Sequence, residues 1–144
     1  MSQARCEEVM RRYLMEVVAE GRFEVLEEIA DEKMIDHTAV AAGWGEGRDG
    51  LERHVRYFRR CIPDPDITIE RLIASDREVV GVWRARGVHS AQLFGIPATG
   101  KAIECTTASI FRVEQGRIAD YTLVSAALET VAQMGVPIEL PASG

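Results

Sequence analysis

The chain has 144 residues, enough for one domain with a core of its own, and we predict a single domain over residues 1–144. Its net charge of −6 argues against a nucleic-acid partner, because phosphate binding needs a concentrated basic surface. We find neither an apolar run long enough to span a membrane nor a secretory leader, so we expect no membrane partner and a cytoplasmic location.

The first half of the chain has the spacing of helices. Apolar residues at helical intervals predict a helix over residues 3–20, closed by Gly21, and a second short helix over residues 23–31. KMIDHTAV, residues 33–40, reads as a short strand. A glycine-rich connection then leads to a third helix over residues 50–61, which the prolines just beyond it end.

After residue 66 the period changes to that of strands. Four strands are predicted, over residues 67–75, 78–89, 102–113 and 117–124. A last helix follows over residues 125–134, with Ser125 as its N-cap. Helices followed by a meander of strands predict an α+β fold, in which the N-terminal helices pack on one face of a curved antiparallel sheet.

Alternation divides each predicted strand into two faces. One face is charged, with signs that alternate between strands, and reads as a solvated surface or a subunit contact; it holds Arg84, Arg86, Glu104, Arg112 and Asp120. The other is mostly apolar with a few hydroxyls and one imidazole; it holds Trp83, His89, Cys105, Thr107, Ser109, Phe111, Tyr121 and Leu123. The second composition is typical of an enclosed pocket for a small molecule.

Two histidines are candidate catalytic residues. His89 lies on the apolar face, where an imidazole can donate to a substrate carbonyl or act as a base near neutral pH. A core histidine bonded to a backbone carbonyl is an equal alternative for it. His37 can reach the pocket rim or simply bond the loop that follows it. His54, on the inner stripe of the third helix, reads as structural.

The predicted substrate-binding residues are aromatic and hydroxyl side chains of the same face and its surroundings. Trp83 offers a flat wall for a planar substrate, although core packing explains it nearly as well, and Trp44 is either a lid or surface packing. The full set is Tyr13, Trp44, Trp83, Thr107, Ser109, Tyr121 and Leu123. No residues have metal-ligand spacing, and the three scattered cysteines read as reduced thiols, so we predict no metal site.

Five segments, in matching order and spacing, resemble the SnoaL-like polyketide cyclase family: MIDHTAV, GLERHVRYFRRCIPD, GVHSAQLFGIPATGK, IFRVEQGRIADY and AQMG. The third, at residues 87–101, is the most specific, and the resemblance extends from about residue 6 to residue 136. It implies the nuclear-transport-factor-2-like cone of helices around a bent sheet, in a homodimer or homotetramer that uses the outer face of the sheet. It also implies a cofactor-free enzyme acting on an aromatic polyketide.

Leu123 marks a departure from that family. Its cyclases, which close rings by aldol chemistry, carry an acid/base aspartate at this position, and a pocket histidine of theirs falls on Ser109. Leucine cannot serve as the base that an aldol closure needs. We therefore favour the branch regarded as anthracycline hydroxylases, a role in antibiotic biosynthesis with molecular oxygen as co-substrate, no bound cofactor and a reductase partner.

Two alternatives to the hydroxylase stay open. The first is an aldol or ester cyclase of the same family whose base is His89 or His37. The second is a ligand-binding protein that kept the pocket and lost the chemistry.

Overall fold

The N-terminal helices are close to those predicted. A computed structural model describes residues 2–138. Helix α1 (Gln3–Arg12) starts where the Ser2 hydroxyl accepts a hydrogen bond from the backbone N–H of Arg5, and it continues as a π-helical segment (Tyr13–Val18). Gly21 follows with a φ of 71°, a left-handed conformation that suits glycine. A short 3₁₀ turn (Phe23–Val25) then leads into α2 (Leu26–Ile29).

The strand predicted over residues 33–40 is only half right. Strand β1 (Ala30–Asp36) ends at Asp36, and helix α3 (His37–Ala42) begins directly after it. The Asp36 carboxylate accepts hydrogen bonds from the backbone N–H groups of Thr38 (3.0 Å) and Ala39 (3.3 Å). A side-chain cap of this kind favours a helix over a continued strand. The third predicted helix is α4 (Gly47–Cys61), and it begins before the expected residue 50.

The strands form one five-stranded sheet. Strands β2 (Asp66–Ala74), β3 (Glu78–Val88), β4 (Ala102–Glu114) and β5 (Arg117–Ser125) make the predicted antiparallel meander. The order is β1-β5-β4-β3-β2, and β1 pairs with β5 in parallel, so the sheet is mixed. Together with the helices it gives the α+β cone that was predicted.

The last helix, α5 (Ala127–Gln133), begins later than expected. Its N-cap residue is Ala126, and no side chain caps it. The prediction that Ser125 caps this helix is wrong, because Ser125 still belongs to β5, where it lies opposite Thr107 of β4.

The two faces of the sheet divide as alternation predicts. The inner face packs against α1 and the π-helical segment, and Phe111 and Tyr121 are among the largest side chains buried there. On the outer face the Arg84 guanidinium contacts Glu104 at 2.6 Å and Glu70 at 3.0 Å. These partly exposed ion pairs contribute little stability each. Among the described residues, no helix is long and apolar enough to cross a membrane.

Gly87 marks a close approach between β3 and the chain that follows α4. A Cβ atom added at Gly87 would lie 2.4 Å from Cγ2 of Ile62, which is fully buried. This contact is far inside van der Waals distance, so only glycine fits without a shift of the backbone or of Ile62.

We expect Gly87→Ala to lower the free energy of unfolding by about 1–3 kcal/mol, as overpacking of a close-packed core does. Urea unfolding followed by circular dichroism measures this. In an Ile62→Ala background the clashing atom is gone, so the same substitution should then have a much smaller effect. Equal losses in both backgrounds would show that the Ile62 contact is not the cause.

Candidate functional site

A cavity of about 350 Å³ lies between the helices and the inner face of the sheet. Its size is that of a small-molecule site. Most of its lining is aromatic or aliphatic, with a few polar groups, and includes Tyr13, Thr38, Trp44, His54, Tyr57, Phe58, Trp83, Leu93, Phe94, Cys105, Thr107, Tyr121, Leu123 and Ser125.

The structure brings six of the seven predicted substrate-binding residues to this cavity: Tyr13, Trp44, Trp83, Thr107, Tyr121 and Leu123. The seventh, Ser109, is fully buried and is not part of the lining. Its hydroxyl accepts a hydrogen bond from the indole N–H of Trp83 at 3.0 Å and lies 3.0 Å from the hydroxyl of Tyr121. Ser109 therefore holds two cavity-lining rings in place, and the binding roles of the set stay predictions.

His89 is fully buried and does not line the cavity. Its Nδ1 accepts a hydrogen bond from the backbone N–H of Thr99 at 3.2 Å and lies 2.9 Å from the Thr99 hydroxyl. Since Nδ1 accepts, the proton of the neutral ring is on Nε2, which has no hydrogen-bond partner in the described part of the chain. His89 is thus buried like a core histidine, but in the described part of the chain its ring bonds the backbone N–H and the hydroxyl of Thr99 and not the backbone carbonyl that was expected; its catalytic role stays a prediction that the cavity does not support.

His37 also lies outside the cavity lining. Its side chain is 55% exposed, and its Nε2 contacts the Asp120 carboxylate at 2.8 Å. The contact links the first residue of α3 to β5, which explains the position of His37 without any substrate.

His54, whose position on the inner stripe of the third predicted helix indicates a structural role, lines the cavity. Its Nδ1 lies 2.7 Å from Oδ2 of Asp36, and the Asp36 side chain is only 1% exposed. A carboxylate can only accept hydrogen bonds, so it holds the proton of the neutral imidazole on Nδ1 and leaves the Nε2 lone pair free. The result is a histidine base with a fixed tautomer at the wall of an apolar cavity.

Two local features of the chain build this Asp36–His54 pair. Asp36 is the last residue of β1 and directs its other carboxylate oxygen, Oδ1, to the first turn of α3. His54 is one turn beyond Leu51 on the buried stripe of α4. The sequence did carry a signal, because aspartate is a preferred N-cap residue, but the same residues also fit the strand predicted over 33–40.

Aromatic rings surround the imidazole of His54. Tyr121 stacks with it at a centroid distance of 5.9 Å and an angle of 18°, and Trp44 lies at 5.4 Å. Trp44 also contacts Tyr57 at 4.9 Å, and Trp83 meets the edge of Phe58 at 5.7 Å. Flat surfaces on several sides suit a planar, apolar ligand.

Two buried phenols complete the inner wall. Burial raises the pKa of the Tyr121 hydroxyl above its ordinary value of 10.0, although hydrogen bonds with Ser109 and Tyr13 act in the opposite direction. Burial likewise raises the pKa of Tyr13 well above that value. Both hydroxyls therefore stay protonated, and able to donate, throughout the physiological range.

These raised pKa values predict a loss of stability in alkali. Above about pH 10 the unfolded chain ionises its tyrosines, while Tyr13 and Tyr121 of the folded chain stay neutral. The contribution of these two residues to the free energy of unfolding is therefore fully present below that pH and is lost as the pH rises above it. Tyr121→Phe should reduce the fall by about 1.4 kcal/mol per pH unit. Urea unfolding at several pH values measures the slope, and an unchanged slope would contradict the assignment.

Possible metal ligands are dispersed. Within residues 2–138, no three His, Cys, Asp or Glu side chains come together as a group that could hold a metal ion. The predicted absence of a metal or cofactor stays a prediction.

Solved structures share this fold. TsrD from Streptomyces laurentii superimposes with a TM-score of 0.82 at 20% identity, over 94% of this chain and 98% of its own. IdmH from Streptomyces antibioticus, a candidate polyketide cyclase, superimposes with a TM-score of 0.73 at 26% identity, over 90% of this chain and 98% of its own. AclR from Streptomyces galilaeus, a candidate hydroxylase, superimposes with a TM-score of 0.74 at 10% identity, over 98% of this chain and 87% of its own.

The fold is therefore an α+β cone with a cavity between its helices and the inner face of its sheet. The model of the SnoaL-like polyketide cyclase family matches residues 8–134, so the chain belongs to that family. No curated protein sequence matches it.

Proposed function

We propose that this protein is an enzyme that removes a proton from an activated carbon of an aromatic polyketide, with His54 as the base. The observation that carries the proposal is the Asp36–His54 pair, with its 2.7 Å contact, at the wall of the apolar cavity. A base near neutral pH, oriented by a buried carboxylate, is the arrangement that general-base catalysis needs.

The first use of such a base is ring closure. His54 Nε2 takes the proton from a carbon next to a carbonyl, and the electron pair moves onto the carbonyl oxygen to give an enolate. The enolate carbon then forms a bond to a second carbonyl carbon of the same substrate, and the new alkoxide takes the proton back from His54. No atom is gained or lost, and the flat rings around the cavity hold the two carbons together.

A hydroxyl group is available to stabilise the enolate. Thr107 lines the cavity from β4, on the same face of the sheet as Tyr121, with which the imidazole of His54 stacks. A donor placed at the developing oxyanion is the usual partner of a base in this chemistry. We assign the Thr107 hydroxyl as the candidate donor.

Hydroxylation is the second candidate, and Leu123 favours it. This residue lies on the cavity wall where the cyclase aspartate is expected, so the wall beside β5 is apolar. The carbanion made by His54 would attack molecular oxygen instead of a carbonyl. The substrate gains one oxygen atom and the other leaves as water; the predicted reductase supplies the two electrons, protonated His54 returns one proton and solvent supplies the other two. Both candidates begin with the same proton transfer.

The remaining expectations accompany this proposal. We propose a homodimer or homotetramer, no bound cofactor, a role in antibiotic biosynthesis and a cytoplasmic location. The resemblance to the family and the charged outer face of the sheet support them.

His54→Asn should abolish proton abstraction while keeping a donor toward Asp36. With 2-tetralone as a ketone probe in D₂O, we expect the wild-type protein to speed deuterium uptake at the carbon next to the carbonyl. The substitution should reduce that rate by about 10²–10⁴-fold. NMR of the ketone measures it.

The chain contains a matched control. His37 also contacts an aspartate, at 2.8 Å, but outside the cavity, so His37→Asn should leave the exchange rate unchanged. If His37→Asn or His89→Asn were the variant that stopped exchange, with His54→Asn fully active, the assignment of the base would be wrong. Exchange by none of the proteins, with tight binding of the ketone, would favour the ligand-binding alternative.

Asp36→Asn tests the orientation of the imidazole. The amide oxygen can still cap α3, but the amide N–H₂ group donates toward Nδ1 and moves the ring proton to Nε2, where no base remains. We expect a loss of exchange comparable to that of His54→Asn, with a small change in melting temperature. Full activity in this variant would show that the carboxylate has no orienting role.

An oxygen experiment separates the two uses of the carbanion. The protein is incubated with 1,8-dihydroxyanthrone under air and under argon, with and without a reductase and NADPH, and the masses of the products are measured by mass spectrometry. A gain of oxygen that needs both air and active His54 supports hydroxylation. Ring closure is tested with a second substrate that carries two carbonyls. A product of unchanged mass, or one that has lost water, formed equally under air and under argon supports ring closure.

A further inference from the structure

A two-residue turn forms the tip of the loop between β3 and β4. Leu93 and Ile96 exchange both backbone hydrogen bonds, at 3.0 and 2.9 Å, and Phe94 and Gly95 lie between them with φ values of 52° and 75°. A two-residue turn with both φ values positive strongly prefers Asn-Gly or Asp-Gly. A phenylalanine in the left-handed region is uncommon and strained.

The chain makes a comparable turn a second time, between β4 and β5. There Gln115 and Gly116 have φ values of 50° and 77°. This second turn lies outside the cavity lining and carries a polar residue at its first position. The backbone conformation therefore does not itself call for an aromatic residue, and the choice of Phe94 needs another reason.

The position of Phe94 supplies that reason. Its side chain lines the cavity together with Leu93, yet Phe94 remains 49% exposed to solvent. Phe94 is thus a large apolar residue that both lines the cavity and meets solvent, as a residue at the mouth of a site does. A ligand seated beneath it would cover the remaining apolar surface of the ring.

The rest of the loop is firmly held. The His89 ring bonds Thr99, and the backbone of His89 bonds Lys101 and Gly100. Closer to the tip, the Tyr57 hydroxyl donates to the Gln92 carbonyl at 2.8 Å. The stem is thus fixed to the sheet and to α4, and it presents the turn at one place over the cavity.

We propose that Phe94 determines specificity: its ring covers the mouth of the cavity and selects extended, planar, apolar substrates over small ones. The inference rests on the proposed function in one respect, because the selected molecule is taken to be the substrate of His54. A strained aromatic residue is kept at the tip of the turn because it contacts the outer part of that substrate.

Binding can be measured without turnover, because both tryptophans of the chain, Trp44 and Trp83, line the cavity and their fluorescence reports its occupancy. The probes are 1,8-dihydroxyanthraquinone, a planar three-ring phenol, and phenol itself. We expect Phe94→Asn to raise the Kd of the anthraquinone about tenfold and to leave that of phenol unchanged. Phe94→Tyr, which keeps the ring, should bind both probes like the wild type.

Gln115→Asn is the matched control for turn geometry. It makes the same kind of change at the equivalent turn position, and it should leave both Kd values unchanged. Both asparagine variants should unfold at urea concentrations no lower than the wild type, since asparagine suits the left-handed conformation. If Phe94→Asn does not fold, Phe94→Leu, which also removes the ring, is judged by the same criteria.

Two results would overturn the proposal. One is an unchanged anthraquinone Kd in Phe94→Asn; the other is an equal loss for both probes, which would mean that the ring orders the loop and does not select the ligand. These results are separate from the proton-transfer proposal, because His54→Asn tests that by deuterium exchange. Loss of exchange in His54→Asn with unchanged binding in Phe94→Asn would overturn this inference alone.

Discussion

The buried carboxylate of Asp36 is the group on which the site depends. It lies at the end of β1, caps α3 through one oxygen and orients His54 of α4 through the other. A carboxylate is costly to bury unless every lone pair has a donor, so the three elements have to meet in one arrangement. The same contacts that satisfy the buried charge therefore fix the tautomer of the base. The hydrogen bonds of Asp36 therefore serve both the stability of the fold and the proposed chemistry.

Much of the fold could be predicted because its signals are local. Alternation along β3 and β4 identified the inner face correctly, and Trp83 and Thr107 reached the cavity as expected. Alternation could not predict the Asp36–His54 pair. An aspartate that ends a strand and one that lies within it have the same sequence pattern, and only the hydrogen bonds that cap α3 distinguish them. His89 failed to reach the cavity for a different reason. It comes just after the end of β3, where the chain turns back to Thr99 and the inner face gives way to a loop.

The position of the base changes how Leu123 is understood. With an aspartate expected on β5, its replacement by leucine suggested that no base remained. His54 now approaches from α4, stacked with Tyr121 of that same strand, so the wall beside β5 can be apolar without loss of a proton acceptor. In the proposed reaction, a wall without charge would keep the carbanion away from competing donors and would leave the planar rings of the cavity to determine how the substrate lies.

The parallel pairing of β1 with β5 has a consequence for biosynthesis. Asp36 lies opposite Tyr121, so these two neighbouring strands are separated along the chain by every element from α3 to β4. Contacts between such distant segments form late, because a long loop has to close before they contribute any energy. On a ribosome, the strand that carries Asp36 has to wait for its neighbour until β5 has emerged. A nascent chain in which β2, β3 and β4 have already paired still lacks the neighbour of β1, so the sheet around Asp36 is completed only when β5 has joined it.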